Sequence, residues 1–378
     1  MIYGFFSVAN GSSIITGAEQ SEKYLPLIQN KKVGLVVNNT SVVKDVHLVD
    51  FLLSKNIKVG KIFAPEHGFR GDASAGEVIK DGVDSKTGIP VISLYGQTKK
   101  PTAAHLKNLD VLIFDIQDVG CRFYTYISTL HLVIEACAEN NLKLIVLDRP
   151  NPNGDYVAGP VLKPGFESFV GMDPIPIVHG CTVGELANMI NGEKWHKAEK
   201  TCDIKVVPVH NYTHSSKYEL PVRPSPNLPN YLSVRLYPSL CFFEATSVSV
   251  GRGTDFPFQV LGGLNKNLGD FKFIPKSIPN VAVRPLNEGK ECYGVDLRSL
   301  KVVPNFTLKY FIEFYNKYEN KKEFLTREAW FNKLAGTDEL LKLIKSGKSE
   351  AEILAQFKPD LEKYKVMRKK YLLYTDFE

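Results

Sequence analysis

Lys61-Ile62-Phe63-Ala64-Pro65-Glu66-His67-Gly68-Phe69-Arg70-Gly71-Asp72 is the stretch on which the fold turns. Its apolar run ends abruptly at Pro65, which cannot donate to a strand ladder. A carboxylate, an imidazole and a guanidinium then arrive together, loosened by Gly68 and Gly71. A buried strand that stops and delivers Glu66, His67 and Arg70 into a loop is how an α/β protein carries chemistry at a strand end. A short motif of this kind also suits an ordinary polar turn, so its neighbours must decide.

They repeat the pattern. Val33–Val37 runs into Asn38-Asn39-Thr40, and Val91–Tyr95 leaves at Gly96. Val111–Ile116 is followed by Gln117-Asp118-Val119-Gly120, and Leu144–Leu147 by Asp148-Arg149-Pro150-Asn151. Between these runs lie helical patterns, at Val46–Leu53 and at Phe123–Glu139, with another ahead of them at Glu19–Gln29. Short, nearly continuous apolar runs alternating with helices predict a buried parallel sheet with right-handed crossovers. The expected architecture is α/β: a Rossmann-like, doubly wound, mostly parallel sheet over roughly 30–210. The strand ends of such a sheet share one edge, where ligands bind. Asn39, Glu66, His67, Arg70, Gln117, Asp118 and Asn151 are therefore candidate site residues.

Past Pro150 the texture changes. Thr182-Val183-Gly184-Glu185 ahead of Leu186 and Ile190 matches a capping box, so Glu185 reads as a helix cap. His179, just upstream, is a candidate cleft residue. Val206–Val209 reads as a strand, and residues 221–230, with four prolines, as a rigid extended segment. Glu244 follows an apolar flank, where burial would favour its protonated form. Gly251-Arg252-Gly253 lets a turn present a guanidinium to a carboxylate. Glu244 paired with Arg252 for structure alone is an equally good reading. Strands are expected at Val281–Arg284 and Gly294–Leu297. Helices are expected at Leu308–Asn316, Thr326–Leu334, Leu340–Lys345, Ser349–Phe357 and Leu361–Tyr371. The division is a catalytic domain over 1–255 and a smaller α+β C-terminal domain over 256–378 that closes the cleft.

Several functional classes lack support. No G-x-G-x-x-G or G-x-x-x-x-G-K-[ST] follows a strand, and neither G-x-S-x-G nor H-E-x-x-H occurs. The six cysteines form no C-x-x-C, so zinc and thiol-redox motifs are missing. The 47 basic and 41 acidic residues are dispersed, which predicts no nucleic-acid surface. No apolar run is long enough for a transmembrane helix. The N-terminal residues lack the basic start of a signal peptide.

The motifs together resemble the NamZ-type exo-β-N-acetylmuramidases of bacterial peptidoglycan recycling. The resemblance runs through Val33–Thr40, Pro65–Asp72, Thr87–Gly96, Phe114–Ile127 and Leu147–Pro152. It continues through Ser168–Gly171, Ser225–Asn227, Glu244–Thr254 and Tyr371–Tyr374. The chain departs from the family pattern at Ala245, Ser247 and Val250, where Gly, Asn and Glu are expected. The resemblance implies release of N-acetylmuramic acid (MurNAc) from non-reducing ends of β-1,4-linked peptidoglycan fragments. It also implies a periplasmic or extracellular location. No cofactor or metal is expected.

Glycoside hydrolysis needs two carboxyl groups about the scissile bond. Glu66 is the first choice, with Glu244 and Asp118 competing as its partner. Arg252 or Arg122 would meet the lactyl carboxylate of muramic acid. Tyr124, Tyr126 and Asn227 would bind sugar hydroxyls. Two other classes stay open at this stage. One is a muropeptide-binding protein without catalysis; the other is a metal-dependent hydrolase using Glu66, His67, Asp115 and Asp118.

Overall fold

The computed structural model describes residues 13–69 and 81–378. Arg70 lies outside the described residues. A seven-stranded sheet forms the first domain. Across it the order is Ile204–Val207, Lys143–Leu147, Val111–Asp115, Lys32–Val37, Lys58–Ala64, Pro90–Ser93 and Gly82–Val83. All neighbours are parallel except the short edge strand Gly82–Val83. Counting the parallel strands along the chain gives 3-2-1-4-5-6, the doubly wound order, reversing between Lys32–Val37 and Val111–Asp115.

The β-branched runs form central strands because both faces are covered. Val33, Leu35 and Val37 face the helices Ser21–Ile28 and Leu48–Ser54, through Tyr24, Ile28, Leu48 and Leu52. Val36, Phe63, Leu112 and Val146 face the opposite layer, built from Tyr126–Glu139 and Val183–Gly192. Side chains alternate across a strand, so one run serves two cores. The capping box opens Val183–Gly192 as expected, and Glu185 is its reciprocal partner.

The helix expected over Phe123–Glu139 begins only at Tyr126, leaving Phe123, Tyr124 and Thr125 as loop. The stripe Val46–Leu53 divides into a two-residue strand, Val46–His47, and a helix from Leu48. The C-terminal domain holds a three-stranded antiparallel sheet, with Cys292–Asp296 between Val260–Gly263 and Phe271–Phe273. Val281–Arg284 is not a strand: Asn280 and Arg284 adopt φ of 60° and 51°, which an extended ladder excludes. Ser349–Phe357 and Leu361–Tyr371 join as one helix, Glu350–Arg368, that carries Pro359 in its interior. Its apolar positions pack on the first domain, which holds the helix together despite one missing backbone donor. A helix over Tyr231–Leu240, capped by Asn230, was not legible beforehand. The larger core runs unbroken from Phe114 and Leu130 to Phe242, Phe311, Phe331 and Ile353. A shared core holds the second domain firmly against the first, with a cleft left between them.

Candidate active site

Glu66 stands at the corner of a tight turn just past Lys58–Ala64. The Gly68 N–H closes that turn on the Pro65 carbonyl at 3.1 Å. His67 takes a φ of 69°, the positive value that a type II turn asks of its third residue. A non-glycine residue held there is strained, and such strain gathers at functional sites. Thr125 Oγ1 donates to the Oε2 of the Glu66 carboxylate at 2.6 Å, and the Tyr95 phenol lies beside that carboxylate, from the end of the neighbouring strand. Burial first, and then this carboxylate, lift the Tyr95 phenol far above its ordinary pKa.

Glu244 reaches the same cleft from the 3-10 turn Cys241–Ala245, far along the chain from Glu66. Arg252 Nη2 lies 2.6 Å from its Oε1. The arginine also rests 5.1 Å above the Phe258 ring. The ion pair foreseen as an alternative is thus present, and both partners line the cleft.

That cleft encloses about 1520 Å³ and runs between the domains. Glu66, His67, Tyr124, Tyr126, Asn227, Glu244 and Arg252 all line it. Its floor is aromatic: Tyr124 packs edge-on against Tyr126 at 4.8 Å and against Tyr237 at 5.8 Å. Tyr126 donates to the Pro224 carbonyl at 3.1 Å, and Asn227 donates to that of Val281 at 2.8 Å. The proline-rich segment and the loop around Val281 are thereby tied to the cleft.

The remaining candidates do other work. Arg122 is wholly buried, donating to the carbonyls of Pro160, Ile175 and Leu334 at 2.8–2.9 Å. Burial without a carboxylate draws its pKa down to about 10. It clamps the ribbon Ala158–Val161/Pro176–Val178 to the C-terminal domain and does not line the cleft. Asn151 is likewise buried, donating to the Cys181 carbonyl at 2.8 Å and accepting from Asn153 N. Gln117 donates to the carbonyls of Asp118 and Pro150. Asn39 reaches the Arg223 carbonyl at 3.1 Å. Asp118 accepts from Gly120 N at 2.7 Å and lies 3.9 Å from His179 Nε2; both are buried away from the cleft lining.

The strand-end pattern therefore splits. Glu66, His67 and Tyr95 reach the cleft. Asp115 instead forms a bidentate ion pair with Arg149 at 2.6 and 2.9 Å. Asp148 accepts from Thr182, Gly184 N and Tyr374. Polar residues at strand ends serve either a ligand or the loops themselves, and residue type alone does not separate the two. Among the described residues no three His, Cys, Asp or Glu side chains gather to hold a metal. The sequence reading did not include Tyr95 or Thr125 among the site residues. Tyr95 at a strand end carried a signal; Thr125, in a stretch read as helix, carried none.

The fold and cleft define an α/β enzyme that brings two carboxylates distant in sequence, Glu66 and Glu244, to one cleft. The chain belongs to the NamZ exo-β-N-acetylmuramidase family. Its N-terminal family model matches residues 33–232 and its C-terminal model residues 235–374. A relative, the peptidoglycan β-N-acetylmuramidase NamZ of Bacillus subtilis (strain 168), is 38% identical over 374 residues, covering 93% of this chain and 89% of its own. A crystal structure of a DUF1343 family protein from Bacteroides fragilis superposes with a TM-score of 0.89 at 47% identity, covering 97% of this chain and 100% of its own. A second DUF1343 family protein from that organism gives 0.83 at 30% identity, covering 96% of this chain and 99% of its own.

Proposed function

We propose that this protein is an exo-acting glycoside hydrolase that releases MurNAc from non-reducing ends of β-1,4-linked peptidoglycan fragments. Glu66 and Glu244 are its catalytic carboxyl groups. The observation that carries this reading is that these two, of the three carboxylates considered, line one cleft, whereas Asp118 is buried away from it. One carboxyl group protonates the leaving glycosidic oxygen while the other assists at the anomeric carbon. Thr125 fixes the Glu66 carboxylate, which lowers the cost of orienting it for reaction. The aromatic floor supplies apolar surface for sugar rings, and Asn227 and the tyrosines supply polar groups. Family membership supports the same substrate. The location belongs to the proposal too: a periplasmic or extracellular enzyme would meet such fragments directly, and cell fractionation tests this.

A chromogenic β-muramide tests the chemistry. Wild-type protein is expected to release the chromophore, and Glu66→Gln, folded by circular dichroism, to do so at least about a hundredfold more slowly. Wild-type turnover by that variant would remove Glu66 from the mechanism.

A further inference from the structure

The muramic ring differs from its glucosamine neighbour by one anionic group, a carboxylate on the ether at C3. A cation in the cleft would discriminate between the two sugars by charge. The arginines that looked suited to it in the sequence are committed elsewhere. Arg122 is buried among three carbonyls, and Arg252 is paired with Glu244. Lys99, Arg284 and Arg327 also line the cleft. None of the three has a carboxylate partner among the described residues.

Lys99 stands apart from the other two in its connection to Glu66. Its Nζ sits 4.6 Å from the centre of the Phe169 ring. Phe169 packs against Tyr95 at 6.1 Å, and the Tyr95 phenol lies beside the Glu66 carboxylate. One continuous wall thus runs from the carboxylate through two aromatic rings to an ammonium. The Phe169 end of that wall is built firmly. Ser168 and Gly171 exchange backbone hydrogen bonds of 2.9 and 3.0 Å, so Phe169 and Val170 form the tip of a two-residue turn. Lys333 donates to the Glu167 carbonyl at 3.2 Å and ties that turn to the C-terminal domain. Arg327, by contrast, stacks on Trp330 at 5.3 Å, in the C-terminal domain.

Building on the proposed muramidase reading, we propose that Lys99, seated on Phe169, is the specificity-determining residue that binds the muramyl carboxylate. A half-buried ring on the cleft wall gives the sugar an apolar surface to lie on. The ammonium beside it is a compact charge with three donors, free to pair with an anion. A sugar lacking the carboxylate leaves Lys99 hydrated, so selectivity arises from charge while the ring contact is common to both sugars.

Calorimetric titration of MurNAc and N-acetylglucosamine into wild-type, Lys99→Met, Lys99→Arg and Arg327→Met proteins tests this. Lys99→Met is expected to weaken MurNAc binding about ten- to a hundredfold, the range for a charge-assisted hydrogen bond. N-acetylglucosamine binding should stay near its wild-type value. Added salt should weaken MurNAc binding in the wild type and do so much less in the variant. Lys99→Arg should recover most of the loss. Unchanged MurNAc affinity in Lys99→Met, or equal loss of both sugars, overturns the assignment. Loss of selectivity in Arg327→Met alone overturns it too, by moving the anion to Arg327. If Lys99→Met loses selectivity while the wild type releases no MurNAc from a muramide, the inference stands and the hydrolase reading falls.

Discussion

Arg122→Ala should damage the fold and leave the chemistry intact. The guanidinium is fully buried, without an acidic partner, and bonds three carbonyls. Two of these acceptors, Pro160 and Ile175, belong to the ribbon beneath the cleft. The third, Leu334, ends a helix of the C-terminal domain. Truncation leaves three acceptors in a dry interior and opens a void the size of an arginine side chain. Each orphaned buried acceptor costs about 1–3 kcal/mol. Removing the costly buried charge offsets part of that sum, so the net loss is about 3–5 kcal/mol, as for other buried charged networks that lose a member. At roughly 2 °C per kcal/mol for a chain of this size, melting should fall by about 6 °C or more. Lys in place of Arg should rescue little, because one ammonium cannot span three carbonyls fixed for a planar fork. Differential scanning fluorimetry and urea titration read the stability, and a muramide assay at low temperature reads the turnover. An Arg122→Ala protein with wild-type melting but a sharply raised KM would refute the clamp and return Arg122 to the substrate.

Other expectations follow from the same geometry. Thr125→Val should lower kcat about tenfold while melting changes little, since it removes a hydrogen bond that holds Glu66. Steady-state kinetics with a melting control checks this. Burial pushes the Asp148 carboxyl from 3.8 up to about 6, despite its hydrogen bonds to Tyr374, Thr182 and Gly184. The folded state then holds its proton more tightly than the unfolded chain, so this group's contribution is greatest below about pH 4 and is lost as pH rises through about 6, by roughly 3 kcal/mol. Asp148→Asn should remove that slope, so urea midpoints of variant and wild type should diverge between pH 4 and 7.

The doubly wound sheet was legible because its strands are buried on both faces. Val33–Val37 and Val111–Phe114 carry no polar side chain. Of the C-terminal sheet only the central strand was legible, at Gly294–Leu297, because Val260–Gly263 is half glycine and Phe271–Phe273 spans three residues, too short for any period to register. Glu66 was legible from its strand end and the abrupt stop at Pro65. Arg122 and Asn151 carried the same polar signature, yet fold inward onto backbone carbonyls. What separates the groups is the direction in which each side chain leaves its loop, and that depends on partners such as Leu334 and Cys181, distant in sequence. Phe169 and Lys99 reach the Glu66 wall through tertiary contacts that no local spacing encodes.

The central claim is that Glu66 and Glu244 cut a β-muramyl bond in this cleft. Its most direct test is incubation of wild-type, Glu66→Gln and Glu244→Gln proteins with the β-1,4-linked MurNAc–GlcNAc disaccharide, followed by proton NMR from the first minutes. Wild-type protein should release free MurNAc as a single initial anomer, and each folded variant should release it at least about a hundredfold more slowly. An intact disaccharide after prolonged incubation with wild-type protein, or wild-type rates from either variant, would contradict it.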